Sequence, residues 1–154
     1  MISPETLRKY SFFGFLKDAE FEDVAMIADE VNFDAGETVF EIDTEAGFVY
    51  LLAEGEVDLH YSVVDSVVSD KSKEFYVGII NPGEPFGLSA LMEPFRYTAT
   101  CTTTKYSKAI KVDAKKLLVL AAEKPALGYA LMTMIAKTVF ERLGVVRMEL
   151  VAAR

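Results

Sequence analysis

Asn81-Pro82-Gly83-Glu84-Pro85-Phe86-Gly87-Leu88-Ser89-Ala90-Leu91-Met92-Glu93-Pro94-Phe95-Arg96-Tyr97-Thr98-Ala99-Thr100 separates two runs of strand-like alternation. It contains a glycine-bearing turn, about one turn of potential helix at Leu88 to Met92, and a loop with one arginine. Amide groups at the start of a short helix favour an anion, and a nearby arginine can clamp a phosphate through two parallel hydrogen bonds. Gly turns with one Arg are common, so spacing alone makes this a weak signal. Ser89 and Thr98 place hydroxyls beside it, and such residues at helix starts and strand edges commonly satisfy local backbone.

Outward from this stretch the period is two. Val31 to Phe33, Thr38 to Ile42, Phe48 to Leu52, Val57 to Val64, Lys73 to Ile80, Tyr97 to Thr104 and Tyr106 to Val112 read as strands between turn residues. Short strands at regular spacing indicate an antiparallel sandwich or roll. The stretch from Asp65 to Ser72 reads as a flexible loop. In Val57-Asp58-Leu59-His60-Tyr61-Ser62-Val63-Val64, alternation puts His60 opposite the apolar side chains, on a solvated face with Asp58 and Ser62.

Helical periods flank the strands. Ser3-Pro4 caps a first helix, the aromatic knot at Phe12, Phe13, Phe15 and Leu16 reads as core, and Asp18 or a neighbour opens a second helix ending near Val31. Asp113 caps a third, and Pro125 opens a longer one. In the long helix Met132, Ile135, Val139, Leu143, Val146 and Leu150 form one apolar stripe, while Leu131, Met134 and Phe140 belong to a second. A helix apolar on more than one side buries more than one side: against the roll, and against either a dimer mate or a wider groove of the same chain.

Composition narrows the functions. The 154 residues favour one domain, and 51% hydrophobic content opposes disorder. The net charge of -8 opposes unspecific nucleic-acid binding and an anionic membrane surface. A single cysteine, Cys101, excludes an internal disulfide framework and reads as a small buried apolar side chain, which suits the cytoplasm. One histidine excludes the clustered metal ligands of a cupin-type enzyme. Ending at Arg154, the chain has no length for a helix-turn-helix after its last helix.

Phe12-Phe13-Gly14-Phe15-Leu16, Ala35-Gly36-Glu37-Thr38-Val39-Phe40, Tyr50-Leu51-Leu52-Ala53-Glu54-Gly55-Glu56-Val57, Asn81 to Gly87, Ala90-Leu91 and Thr98-Ala99-Thr100 together resemble the cyclic-nucleotide-binding domain family. The resemblance covers nearly the whole chain, although Ile42-Asp43 lacks the glycine usual before that acidic residue. It implies a mainly β, jelly-roll-like β-roll of eight strands, or double-stranded β-helix, with N- and C-terminal helices. The expected layout over 1–154 is helices at about 3–30, the roll at about 31–112 and C-terminal helices at about 113–150.

The family's cassette reads Phe-Gly-Glu-x-Ala-Leu, a loop, then Arg-(Ser/Thr/Ala)-Ala, its glutamate holding the ribose and its arginine the phosphate. Here Leu88 stands at the glutamate position, Tyr97 at the arginine position, and Arg96 one residue early. Cyclic AMP or cyclic GMP is the ligand the resemblance implies, with no other cofactor. Gly87, Ser89 and Ala90 would present amides to its anion, Thr98 a hydroxyl, Arg96 charge and Tyr97 a stacking face, with Phe86 and Leu88 lining the site. The resemblance implies a non-enzymatic regulatory module sensing a cyclic nucleotide or another small anion, a C-terminal helix forming a homodimer contact, and an unidentified protein effector. The alternative is a ligand-free relative, its pocket filled by Leu88, Phe95 and Tyr97, serving as a dimerisation or protein-interaction scaffold.

Overall fold

The computed structural model describes residues 1–64 and 72–154. Helices α1 (Pro4–Arg8) and α2 (Asp18–Met26) precede strands β1 (Ala28–Phe33), β2 (Thr38–Phe40), β3 (Phe48–Glu54), β4 (Val57–Val64), β5 (Ser72–Ile80) and β6 (Pro85–Phe86). Strands β7 (Thr100–Thr103) and β8 (Ser107–Asp113) follow, then helices α3 (Ala114–Glu123) and α4 (Pro125–Ala152). The expected loop over 65–72 lies outside the described residues except for Ser72, which opens β5.

Two antiparallel four-stranded sheets, in the orders β1-β8-β3-β6 and β2-β7-β4-β5, pack face to face. Between them lie Tyr50, Leu52, Val57, Ile80, Phe86, Cys101 and Ala109. The opposite face of the first sheet, with Val49, Leu51, Ile110 and Val112, carries the helices through Phe12, Phe21, Leu117, Leu127, Leu131 and Ile135. Strand β3 therefore buries both its faces, which is why Phe48 to Leu52 reads as an unbroken apolar run.

Local capping follows the residues. The Ser3 hydroxyl accepts from the Glu5 amide at 3.2 Å, and the Asp113 carboxylate accepts from the Lys116 amide at 3.0 Å. At α2 the neighbour of Asp18 takes the cap: Lys17 is the N-cap, and the Glu20 carboxylate reaches back to accept from its amide at 2.8 Å. The helical period ends earlier than Val31. Ala28 pairs with Val112 and Val31 with Ala109, so the ladder with β8 outweighs the local helical spacing.

His60 departs from its expected solvation. It does share a face with Asp58, away from Val57, but it is only 7% exposed. Strand β5 skips a residue opposite Leu59 and His60, so Tyr76 rather than Val77 faces His60. The two rings pack with centroids 5.6 Å apart. His60 Nδ1 and Asp58 Oδ1 are both buried without a hydrogen-bond partner, and burial raises the Asp58 pKa, partly offset by His60.

Candidate functional site

Strand β6 delivers the cassette. Phe86 pairs with Tyr50 and Pro85 with Leu51, and the chain then turns at Gly87 with φ +72°. A Cβ at Gly87 would lie 3.2 Å from the Phe48 carbonyl oxygen and 3.3 Å from the Tyr50 ring, so glycine is required by conformation and by space. Leu88 to Leu91 form a single 3-10 turn of four residues. Its Ala90 amide donates to the Gly87 carbonyl at 3.1 Å, so this N–H is engaged within the turn rather than offered to an anion. Leu88 packs against the helical core, with Ala90 and Leu91 buried beside it.

The returning loop is clasped to the segment before β3. The Tyr97 amide donates to the Thr44 carbonyl at 3.0 Å, the Asp43 amide to the Tyr97 carbonyl at 2.8 Å, and the Ala46 amide to the Phe95 carbonyl at 2.7 Å. Asp43 and Phe95 adopt left-handed conformations, φ 62° and 57°. Phe95 consequently sits at the surface rather than filling the pocket. Arg96 also faces outward, its Nε 2.9 Å from Asp43 Oδ1 and its terminal nitrogen donating to the Asp43 carbonyl.

Tyr97 points the other way. It is 6% exposed and stacks on Phe40 at 3.8 Å between ring centroids and 10° between planes. Phe40, Tyr50 and Phe86 continue the stack, with Tyr50 and Phe86 at 5.0 Å. The Tyr97 hydroxyl donates to the Phe48 carbonyl at 2.8 Å and accepts from the Phe48 amide at 3.4 Å. Strand β6 is only two residues long, so this phenol serves the β3 backbone where the short strand does not reach. Burial raises the Tyr97 pKa, partly offset by the contact with Phe48, and burial raises that of Tyr50.

Of the expected site residues, Phe86 and Tyr97 meet in this stack, and Gly87 abuts it. Ser89 and exposed Thr98 bring their hydroxyls to 3.4 Å at the surface. Arg96 and Leu88 face elsewhere. Among the described residues, no group of three His, Cys, Asp or Glu side chains is placed to hold a metal, and no helix is long and apolar enough to cross a membrane.

A second feature escaped the reading of the sequence. A groove of about 630 Å³ runs between β5, the start of β6 and α4. From α4, the Arg142 guanidinium enters it and donates to the Pro85 carbonyl. Its sequence signal was a cation four residues beyond Thr138 and seven beyond Ile135, both on the buried side of α4.

Comparison with known proteins places these features in a wider set. Residues 30–124 match the family model described as the cyclic nucleotide-binding domain. A solved structure described as a cyclic nucleotide-binding protein, from Geobacter metallireducens GS-15, is 35% identical, with TM-score 0.80 over 93% of this chain and 99% of that one. The Thermus thermophilus catabolite activator protein shares the fold at 19% identity and TM-score 0.69, over 97% of this chain and 63% of that one. The cAMP-dependent protein kinase regulatory subunit of Dictyostelium discoideum is 27% identical over 112 residues, 73% of this chain but 33% of that protein. The chain thus spans about a third of the length of this curated relative.

Proposed function

The chain belongs to the cyclic nucleotide-binding domain family, and we propose that it is a regulatory module of that family whose phosphate site is filled by its own Tyr97. Of the two readings open in the sequence, a nucleotide sensor and a ligand-free interaction module, the stacking of Tyr97 on Phe40 favours the second at the cassette. The carrying observation is the placement of Tyr97: its ring lies flat on Phe40 and its hydroxyl is spent on Phe48. Entry of a cyclic phosphate requires breaking both contacts, with Arg96 already paired to Asp43. Charged hydrogen bonds are worth about 1.5–3 kcal/mol each. Without the arginine and glutamate contacts, affinity falls by about two to four orders of magnitude at about 1.4 kcal/mol per tenfold.

The output surface is α4. Its near side, with Leu127, Leu131, Ile135 and Thr138, is buried against the domain. Its far side exposes Val139, Phe140, Leu143, Leu150 and Val151, an apolar face suited to the same face of a second copy. A homodimer through α4 is the assembly this module forms.

Titration with cyclic AMP and cyclic GMP, followed by melting temperature, tests the reading. A ligand at 100 times its Kd adds about 2.7 kcal/mol of stability. No shift is expected at millimolar nucleotide, and a saturable rise with either one would overturn the filled-site reading.

A further inference from the structure

We propose that a cavity between β2, the start of β3 and β8 binds a free aromatic amino acid as its zwitterion, with Lys111 holding the carboxylate and Glu45 the ammonium. It shares no bordering residue with the groove beside Arg142, and α4 takes no part in it. Tyr97 in its stacked position forms one wall, so the proposal rests on that placement.

Size and charge point to this ligand. The cavity holds about 480 Å³, within the range of roughly 300–1,000 Å³ typical of small-molecule sites. Among the described residues that border it two are charged, Glu45 and Lys111, one of each sign. Neither makes an ion pair among the described residues, with each other or with a third group. Asp29 stands opposite Lys111 in the ladder with β1, but beyond ion-pair distance. The Lys111 ammonium instead lies 3.8 Å from the centroid of the Phe48 ring. A ligand carboxylate would give it a charged acceptor, which binds more strongly than a ring face. An occupant of one sign matches only one of the two side chains, whereas an amino acid matches both. A phosphate ester would face Glu45 with nothing to offset it.

The remaining walls select an aromatic side chain. Phe40, Phe48, Tyr50 and Tyr97 all border the cavity, and aromatic rings gain from offset or edge contact with another ring beyond the area they bury. The Tyr50 side chain is buried, and its hydroxyl makes no hydrogen bond among the described residues, which leaves a polar group to serve the ligand. Glu45 lies in the segment whose neighbours Thr44 and Ala46 are bonded to Tyr97 and Phe95. A ligand bridging Glu45 to Lys111 therefore ties this clasp to β8 and holds the cassette loop closed.

L-Phenylalanine is the probe, with phenethylamine lacking the carboxylate and 3-phenylpropionate lacking the ammonium. Phenylalanine should raise the melting temperature saturably, and each analogue should bind roughly tenfold or more weakly. Lys111→Met and Glu45→Gln should each weaken phenylalanine by a similar factor. Glu45 is exposed, so Glu45→Gln keeps the test open should Lys111→Met fail to fold. Glu45→Gln should also bring phenylalanine and 3-phenylpropionate closer in affinity, which a merely structural role for Glu45 would not do. No saturable shift with phenylalanine, an equal shift with either analogue, or undiminished binding in either variant would overturn the proposal. Failure here without a nucleotide response leaves the filled cassette standing, whereas a nucleotide response overturns that reading by itself.

Discussion

Tyr97 is held by two forces that can be separated by a single atom. Its ring contributes stacking against Phe40, and its hydroxyl satisfies both backbone groups of Phe48. Tyr97→Phe keeps the first and removes the second, leaving a partly buried carbonyl and amide without this partner. Unfolding free energy should fall by about 1–3 kcal/mol, read from the midpoint of urea unfolding. An unchanged midpoint would mean that water replaces the hydroxyl. At this scale the sequence was partly legible. The misfit of tyrosine and leucine to the family's ligand pattern was visible, but the direction in which Tyr97 points was not. That direction depends on a clasp between 43–46 and 95–97, residues about 50 positions apart. His60 carries the same lesson. Period two gave its face correctly, whereas its burial came from a register shift in β5 that alternation within β4 cannot report.

Among the elements, α4 has the most unsatisfied surface. The stripe from Met132 to Leu150 was legible as apolar, yet the structure divides it: Ile135 packs inward, while Val139, Leu143, Val146 and Leu150 are exposed. Leu131, from the second set, is buried, while its companion Phe140 faces out. Helical spacing orders residues around an axis but does not say which side meets the roll. That was decided by contact with the aromatic turn at Ser11–Phe15 and by the close crossing of α3, where a Cβ at Gly128 would lie 2.9 Å from the Ala121 carbonyl oxygen. Leu143 is 39% exposed, so Leu143→Glu leaves the folded domain intact while placing two carboxylates in the proposed dimer contact. Sedimentation velocity should show association weakened about tenfold to a hundredfold, at about 1.4 kcal/mol per tenfold. Dimers that persist unchanged would locate the contact on another surface.

Across the whole molecule, Cys101 reports on the integrity of the sandwich. It lies fully buried between the sheets, and burial pushes its thiol up to about 12. Since the thiolate is the reactive form, maleimide labelling in native buffer should be roughly a thousandfold or more slower than in the unfolded chain. It should accelerate with urea along the global unfolding curve, and rapid native labelling would reveal a local opening of β7. The amino-acid sequence by itself determined the alternation of the strands, the caps at Ser3 and Asp113, the glycine at the cassette turn and the mainly β class. These depend on neighbours a few residues away. Only the tertiary structure decided that Tyr97 closes the cassette, that Arg96 is drawn to Asp43, that His60 is covered by Tyr76 and that Arg142 enters a groove. Each of those outcomes is a contact between distant segments, and side-chain direction there is set by which partner the packed sheets and helix bring within reach.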